Sequence, residues 1–315
     1  MTKKKFKIAA VIISYNNKES IKKIISALKS QSYSLGEIIV VDNASKDGSV
    51  KMLNKEFPEV VLLANSSNLG VGEGYGRGMD YAHKKGYDWT WLLDGDCLPQ
   101  KSTLEELIKA YNQLRNTYQK IGILASSPVN PSTGKIIRGK EKFHGGRFSG
   151  LPETFFLSQQ PFLVDAVISS GSLIHSEVIK EVDLPRSDFF VDFIDYEYCL
   201  RVRMKNYQIV YVPRSVIHHR LGNEGIIRSV LCLGRKCLVS THPSWRMYYI
   251  IRNEVYTRLH ILRDYRSIFF IGWIVLHEFL SAVVHQRQSI KYIVLGLKDG
   301  IRGRLGKVVK PPGDK

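Results

Sequence analysis

The sequence predicts an α/β protein built on a doubly wound, mostly parallel β-sheet, followed by a C-terminal helical extension. Continuous apolar runs of strand length recur through the N-terminal part, and helical patterns separate them. From about residue 241 the chain turns into aromatic, arginine-rich and apolar helical stretches. A continuous rather than alternating apolar run is typical of a strand buried on both faces, as in a parallel sheet.

Four such runs alternate with helical patterns. The runs are "KIAAVII" (7–13), "EIIVV" (37–41), "EVVLL" (59–63) and "WTWLL" (89–93). The intervening patterns predict helices over 18–31, over 46–57 and from about 79 to 85. This alternation predicts a doubly wound fold, in which ligands bind beyond the carboxyl ends of the strands.

The middle of the chain continues with further strands and a helix. "LVDAVISSGSLI" (163–174) predicts a strand followed by a turn of small residues. Residues 188–213 predict a helix with an acidic start, followed by another strand.

Polar segments follow each of the four apolar runs, at the edge where a ligand would bind. They are "SYNN" (14–17), "DNASKDGS" (42–49), "NSSNLGVGEGYGRG" (65–78) and "DGD" (94–96). Each is weak alone, because Asn, Asp and Gly are also turn residues, but four in register indicate a site. The candidate ligand-binding residues on this edge are Ser14, Asn16, Asp42, Asn43, Asn68, Gly70, Arg77 and Asp94.

Asp94 and Asp96 can point to the same side of an extended segment, because alternate residues of a strand share a face. Two converging carboxylates suit a hard cation, Mg²⁺ or Mn²⁺, of the kind that also binds substrate phosphates. The alternative is a turn in which Asp94 caps the next helix. Asp42 poses a similar choice, between a contact to a ribose hydroxyl or base edge and an Asx turn.

The glycine-rich segment that begins at Gly70 is a further candidate. Glycines allow a backbone to approach a ligand closely, although neither the dinucleotide fingerprint nor the P-loop pattern is present. A plain flexible loop is the alternative.

Asp195, at the predicted helix start in "DFIDYEYCLR" (192–201), is the candidate general base. Glu197 cannot face the same way on a helix, and it can pair on the surface with Arg201, four residues later. The alternative is a set of solvated acids that favour a helix N-terminus. In "VIHH" (216–219), neighbouring histidines point to opposite sides if extended, so at most one joins a site.

The chain is strongly basic: 46 Lys and Arg against 29 Asp and Glu give a net charge of +17. Such a charge suits an anionic partner, whether nucleic acid, acidic lipid or a phosphorylated substrate. The chain has no recognisable motif for reading nucleic acid, so we expect no nucleic-acid partner. Basic residues cluster in the last thirty positions: Arg287, Lys291, Lys298, Arg302, Arg304 and Lys307.

"SIFFIGWIVLHEFLSAVV" (267–284) is about long enough to span a membrane, but His277 and Glu278 lie in its middle. A span needs roughly 20 apolar residues, and a central acid is expensive. We expect an interfacial helix beside the basic cluster, which would attract anionic lipid. The alternative is a helix that only covers the preceding domain or joins a homo-oligomer.

The motifs together point to a known family. "VIISYNN", "IIVVDNASKDGS", "NLGVGEGYGRGM", "WTWLLDGDCLP" and "FFVDFIDYEYCLR" occur in this order and resemble the inverting family 2 glycosyltransferases of the GT-A fold. "WRMYYIIRN" and "GLKDGIRGRLGK" look like the branch that contains rhamnosyl- and galactofuranosyltransferases of bacterial surface polysaccharides. The resemblance covers nearly the whole chain but does not identify the sugar.

The resemblance implies roles for individual residues. Asp42 would contact the nucleotide base or ribose, Asp96 would bind Mn²⁺ or Mg²⁺, and Asp94 would lie near the metal and the ribose or sugar. Asp195 matches the base that takes the acceptor proton, and His219 matches a third metal ligand of some relatives.

This chain departs from the family pattern in two places. Relatives often have an acid just before the base, where this chain has Ile194, and Asp192 or Glu197 could compensate. Many relatives also carry a third acid where Gly95 stands, which implies a leaner metal site.

The implied organisation is a GT-A catalytic domain over 1–240 and an amphipathic, basic helical region over 241–315. Within the domain, residues 1–100 would form the nucleotide-binding half and residues 101–240 the acceptor and catalytic half. The implied setting is cytoplasmic, peripheral at the inner face of the cell membrane.

The implied reaction moves a sugar from a nucleoside-diphosphate donor to a hydroxyl of a glycan or lipid-linked glycan in cell-surface polysaccharide synthesis. Rhamnose from dTDP-rhamnose is the first expectation, and galactofuranose from UDP-galactofuranose is the alternative. Two other classes stay open: a basic nucleic-acid-binding protein, and a nucleotidyltransferase, although "SYNN" stands where the latter usually has a glycine-rich phosphate loop.

Overall fold

The computed structural model describes residues 5–219, 223–228, 236–263 and 266–312. Its strands are β1 (Ile8–Ser14), β2 (Glu37–Asp42), β3 (Val61–Ala64), β4 (Trp89–Asp94), β5 (Leu98–Pro99), β6 (Ile121–Val129), β7 (Lys142–His144), β8 (Arg147–Ser149), β9 (Phe162–Val164), β10 (Ser172–His175), β11 (Gln208–His218), β12 (Asn223–Arg228) and β13 (Lys236–Thr241). Its helices are α1 (Lys18–Lys29), α2 (Ser49–Glu56), α3 (Gly70–Lys84), α4 (Thr103–Leu114), α5 (Glu153–Leu157), α6 (Ser176–Val182), α7 (Ile194–Met204), α8 (Ser244–Tyr256), α9 (Arg266–His285) and α10 (Ser289–Arg302).

A mixed, mostly parallel sheet forms the centre of the protein, in the order β3-β2-β1-β4-β10-β6-β11-β5. Strands β1 to β4 are mutually parallel, as the sequence predicts. Strand β10 runs antiparallel between β4 and β6, and β9 and β5 add antiparallel pairs to β11. In the stretch 163–174, two short strands, β9 and β10, flank residues 165–171, which form no strand, whereas the sequence predicted one strand before the turn.

Helices cover both faces of the sheet, because the inner strands alternate buried side chains between two apolar layers. On β1, Ala9, Val11 and Ile13 belong to the layer that contains α3, α6 and α7. Ile8 and the other alternate residues of β1 belong to the layer that contains α1, α2 and α4. This arrangement confirms the doubly wound architecture.

The strand register brings the polar strand ends together. Ser14 at the end of β1 pairs with Asp42 at the end of β2. On the other side of β1, Ile13 pairs with Asp94, the last residue of β4. The carboxyl ends of these strands therefore form one edge, where the sequence predicted a ligand.

The glycine-rich segment is a helix, not a loop, since α3 begins at Gly70 rather than near Met79. Glycine disfavours a helix by about 1 kcal/mol relative to alanine. The helical spacing of the apolar residues Val71, Tyr75 and Met79 therefore did not predict a helix over this glycine-rich segment. The glycines instead let the helix pack closely. A β-carbon on Gly78 would overlap the side chain of Val11 in β1.

Gly78→Ala is therefore expected to destabilise the protein by about 1–3 kcal/mol, the usual cost of overpacking a core. Gly76→Ala in the same helix is the matched control, because its β-carbon would lie 3.9 Å from its nearest neighbours. The control is expected to be neutral or stabilising by up to about 1 kcal/mol from helix propensity. Urea unfolding of both variants measures the difference, and equal midpoints would contradict this account of the glycines.

The C-terminal region is helical, as expected. Helix α10 packs on α8 through Gly296 and Gly300, whose β-carbons would lie 2.5 Å from the Tyr248 carbonyl oxygen and 2.8 Å from that of Arg252. A second apolar cluster, with Phe190 and Tyr249, joins α8 to the sheet domain. The helical region is thus built onto the sheet domain by direct packing.

Helix α9 is the least covered part of this region. It contains one stretch, Arg266–Val283, that is long and apolar enough to cross a membrane by length and composition, and 17% of that stretch is buried. Length and composition alone also suit a surface helix. The exposed large apolar residues on α9 are Ile268, Phe269, Trp273, Leu276, Phe279 and Val283.

Candidate functional site

Asp94, Asp96 and His219 form a cluster whose ligand atoms all lie within 4.8 Å of one another. The Nε2 atom of His219 lies 3.2 Å from an Asp96 oxygen and 3.6 Å from an Asp94 oxygen. Strand pairing explains this convergence: β5 follows Asp96 and pairs with the end of β11, so that His218 lies opposite Leu98. As predicted, only one of the two histidines joins the cluster, because the Nε2 atom of His218 faces Gln100 at 3.3 Å.

Two carboxylates and an imidazole fit a divalent cation. The Nδ1 atom of His219 is buried without a hydrogen-bond partner among the described residues, so Nε2 is the nitrogen that faces the acids. Carboxylates suit Mg²⁺ and Mn²⁺, and an imidazole ligand favours a transition metal, so this donor set suits Mn²⁺ better than Mg²⁺.

Gly95 has a steric reason to be glycine. A β-carbon there would overlap the side-chain amide of Asn17 and lie 2.7 Å from the carbonyl oxygen of Ile13. The position leaves no room for a third acid, so the candidate metal ligands here are the two aspartates and His219.

Within the cluster, the pKa of Asp94 and the pKa of His219 each depend on the charge of the other residue. Removal from bulk water raises the pKa of Asp94, against the opposing effects of His219 and of the Tyr75 hydroxyl. That hydroxyl donates to Asp94 at 2.7 Å. Burial disfavours the charged form of His219, but its hydrogen bond to Asp96 and the nearby carboxylates raise its pKa above the ordinary value.

Asp195 lies in the same cleft as the cluster. A cavity of about 480 Å³ is lined by residues that include Asp94, His219, Asp195, Tyr196 and Arg246. Withdrawal from water raises the pKa of Asp195 to about 7, with smaller contributions from the charges of Asp192 and Asp94. A carboxylate with a pKa near neutrality suits proton transfer.

Neither acid near Asp195 is left available to assist it. Glu197 is fully buried and pairs with Arg201 at 2.5 Å, so the predicted pair exists but is not on the surface. Asp192 forms an ion pair with Arg246 of α8. Asp195 is therefore the carboxylate of its helix that faces the cleft.

Asp42 is buried at the end of β2. One of its oxygens accepts a hydrogen bond from the Ser45 backbone N–H at 2.9 Å, so the Asx-turn interpretation holds. The other oxygen is buried with no partner among the described residues. An unsatisfied buried carboxylate oxygen is costly, so this atom is also suited to a ligand hydroxyl or N–H.

The other candidates on the strand edge hold the loops in place. Ser14 donates to Asn17 at 2.7 Å. Asn16 accepts from the Lys46 N–H at 2.7 Å. The Asn43 amide donates to the Gly70 carbonyl at 3.0 Å.

Asn68 and Arg77 differ in their relation to this edge. The side chain of Asn68 accepts from the Gly70 N–H at 3.0 Å at the start of α3. Arg77 lies along α3 in a groove that it shares with Arg186 and Asp188, away from the residues that line the cleft. Asn68 and Gly70 lie beside the end of β2, because the Gly70 carbonyl accepts from Asn43, whereas Arg77 does not line the cleft.

The sequence did not single out three cleft residues that bond Asp94 or Asp192. Tyr75 was hidden because α3 looked like a loop, although Val71 and Tyr75, four residues apart, both line the cleft. Ser170 accepts a hydrogen bond from the Asp94 N–H at 3.1 Å. Arg246 belongs to the quoted stretch "WRMYYIIRN", but nothing in its spacing placed it near Asp195.

The chain is similar in sequence to known proteins. The profile of the family "Glycosyl transferase family 2" matches residues 9–182, more than half of the 315 residues. The "dTDP-rhamnosyl transferase RfbF" of Shigella flexneri is 25% identical over 95% of this chain and 97% of its own length. The "Galactofuranosyltransferase GlfT1" of Mycolicibacterium smegmatis is 29% identical over 31% of this chain and 32% of its own length.

Solved structures show the fold to be GT-A. GalNAc-T7, solved with UDP, GalNAc and Mn²⁺, matches with a TM-score of 0.63 and 14% identity over 94% of this chain and 56% of that protein. Residues 1–349 of S. aureus TarS, in complex with UDP, match with a TM-score of 0.53 and 12% identity over 94% of this chain and 92% of that one.

Proposed function

Because the chain belongs to glycosyl transferase family 2, we propose that it is an inverting, metal-dependent glycosyltransferase that moves rhamnose from dTDP-rhamnose to a hydroxyl of a glycan or lipid-linked glycan. The observation that carries the proposal is the single cleft that holds Asp94, His219 and Asp195, with Asp96 at its side. This cleft offers both ligands for a cation and a base.

The chain's own residues would divide the chemistry between the base and the cation ligands. Asp195 accepts the proton of the acceptor hydroxyl, whose oxygen attacks the anomeric carbon of the donor. The bond from that carbon to the diphosphate oxygen breaks on the opposite face, so the configuration inverts. The diphosphate leaves with the bonding electron pair.

Asp94, Asp96 and His219 would hold Mn²⁺ or Mg²⁺. When bound, the ion supplies positive charge that stabilises the leaving diphosphate. Asp42, at the end of β2, would accept a hydrogen bond from the base or ribose through the oxygen that has no partner among the described residues.

The donor is the finer part of the proposal. A relative that matches nearly end to end is named as a dTDP-rhamnosyl transferase, whereas the galactofuranosyltransferase match covers about a third of each chain. This difference supports dTDP-rhamnose, with UDP-galactofuranose as the second candidate.

Calorimetric titration of dTDP and UDP, each with Mn²⁺ and with EDTA, tests the proposal. We expect dTDP to bind more tightly than UDP, and only in the presence of the ion. A preference for UDP would move the assignment to the second donor. Absence of binding by both nucleotides to the folded protein would overturn the glycosyltransferase assignment.

We also propose that α9 lies on an anionic membrane surface as a peripheral anchor. Its apolar residues are exposed: Phe269 is 74% and Trp273 53% accessible. His277 contacts Glu278 at 3.3 Å in the middle of the helix, a polar pair that an interface accepts more readily than the bilayer centre. The six cations of the basic cluster are all exposed, and each adds about 1 kcal/mol near an anionic surface.

Sedimentation with vesicles of anionic phospholipid measures this anchor. We expect binding that weakens with salt and is lost with neutral vesicles. Phe269→Asp is expected to weaken it by roughly 10- to 100-fold, the equivalent of one buried aromatic side chain. Leu157→Asp, at an apolar residue of α5 that is 61% exposed, is the matched control. Equal loss in both variants would argue against α9 as the anchor.

A further inference from the structure

The segment 188–193, which leads directly into the helix of Asp195, has an unusual backbone. Phe190, Asp192 and Phe193 all have φ between 61° and 67°, a left-handed region that residues other than glycine seldom adopt. Such conformations persist only when the surroundings over-determine them, and they cluster at functional sites. The groups that impose this conformation therefore also determine where α7 begins and where Asp195 points.

Helix α3 supports one side of the segment. The Val71 N–H donates to the Phe190 carbonyl at 2.7 Å. A β-carbon on Gly70 would overlap that same carbonyl, and one on Gly72 would overlap the Arg186 carbonyl. The glycines of α3 thus let the helix touch the backbone of the segment directly.

Helix α8 supports the other side with two fully buried polar residues, Arg252 and Asn253. The Asn253 amide donates to the carbonyls of Phe189, Val191 and Asp192 at 3.1, 2.9 and 2.8 Å. An amide has only two hydrogens, so these three carbonyls share them, and the whole donor capacity of Asn253 goes to this segment.

Arg252 extends the same support. Its guanidinium donates to the carbonyls of Asp188 and Phe189 at 3.1 and 2.9 Å, and its Nε atom donates to the Asn253 oxygen at 2.8 Å. The bond from Arg252 Nε to the Asn253 oxygen orients the Asn253 amide so that its donor side faces the segment. Arg246, two turns before Asn253 on the same face of α8, pairs with the Asp192 carboxylate.

We propose that Asn253, oriented by Arg252, is a positioning residue for Asp195, so that α8 of the C-terminal region forms part of the catalytic machinery. The inference rests on the proposed function of Asp195. A general base must lie within hydrogen-bond reach of the hydroxyl that it deprotonates, and a misplacement of about 1 Å can cost a factor of 10² in rate. The proposed cation ligands and Asp42 lie at the ends of β4, β11 and β2, and Asn253 donates to none of them.

Asn253→Ala tests the proposal, with Val255→Ala as the matched control. Val255 is equally buried in α8 but packs against α10 and the cluster that contains Ile271 and Ile293. Asn253→Ser, which keeps one hydroxyl donor, replaces Asn253→Ala if the latter does not fold. Each variant is measured for unfolding free energy, dTDP affinity with Mn²⁺, turnover of the sugar donor, and hydrogen exchange of peptides that cover residues 186–198.

We expect Asn253→Ala to lower kcat by roughly 10- to 100-fold, with unchanged dTDP affinity and faster exchange confined to the segment. Val255→Ala should lose stability without either effect, and Asn253→Ser should fall between the wild type and Asn253→Ala. The proposal is overturned if both alanine variants lose kcat equally, or if exchange of the segment does not change. A wild-type enzyme that turns over no donor would overturn the proposed function instead, and the exchange comparison would still decide whether Asn253 holds the segment.

Discussion

Asp195→Asn is expected to lower the rate of sugar transfer by about 10²- to 10⁴-fold, the range that a positioned general base contributes. The amide keeps the shape of the side chain but cannot take a proton from the acceptor hydroxyl. Asp195 is the carboxylate of α7 that faces the cleft, since Glu197 is buried against Arg201 and Asp192 is paired with Arg246. No second acid of this helix is placed to replace it.

Nucleotide binding is the internal control for this variant. The proposed cation ligands and Asp42 lie at the ends of β4, β11 and β2, so dTDP affinity with Mn²⁺ should be unchanged in Asp195→Asn. Comparable losses of affinity and rate would mean that Asp195 binds the donor rather than the acceptor proton.

The wild-type enzyme should also show a pH dependence that the variant lacks. The pKa of Asp195 is about 7, raised mainly by withdrawal from water, so the base is protonated and inactive below that pH. The acid limb of the kcat/KM profile reports the free enzyme and should therefore have its midpoint near pH 7. A profile that stays flat down to pH 5 would contradict the assignment.

The same pKa shift has a consequence for stability. A carboxyl whose pKa is higher in the folded than in the unfolded chain makes folding less favourable as the pH rises from its ordinary value towards 7. Above about pH 7, the raised pKa reduces the stability of the folded chain by its full amount. Asp195→Asn should thus be at least as stable as the wild type at pH 8, a trade-off between stability and activity that is common in active sites.

The sequence predicts those features of the protein that depend on patterns of neighbouring residues. Continuous apolar runs located β1 to β4, and the polar residues that end them located the site edge, because both follow from burial of a parallel sheet. Asp94 and Asp96 were paired on the argument that an extended segment places alternate residues on one side. They do converge, but for another reason: Gly95 and Asp96 form a turn after β4, in which the Cys97 N–H donates to the Asp94 carbonyl at 3.1 Å.

Other features depend on contacts that no local pattern records. His219 reaches Asp96 only because β5 and β11 pair across more than a hundred residues. The helical character of α3 was obscured by glycines whose purpose is close packing against Val11 and Phe190. The stretch "WRMYYIIRN" was quoted as a motif, but its link to Asp195 appears only when Asn253 is seen to bind three carbonyls ahead of α7.

Asp96→Ala is expected to abolish the increase in dTDP affinity that Mn²⁺ provides. Asp96 is half exposed at the side of the cleft and contacts His219 at 3.2 Å, so its removal leaves the cation with one carboxylate and one imidazole. The loss should be at least the roughly 10- to 100-fold that removal of an outer-shell partner costs a metal site. Calorimetric titration of dTDP with Mn²⁺ and with EDTA measures it directly.

The two neighbouring histidines provide a matched comparison for the same experiment. His219→Ala removes the third ligand and should also reduce the Mn²⁺-dependent affinity, whereas His218→Ala should not, because His218 faces Gln100 on the other side of β11. If the Mn²⁺-dependent affinity survives both Asp96→Ala and His219→Ala, the cluster is not the cation site. The contact of His219 with the two aspartates is then only structural. If it is lost in these two variants and kept in His218→Ala, the aspartates at the end of β4 hold the ion against the diphosphate.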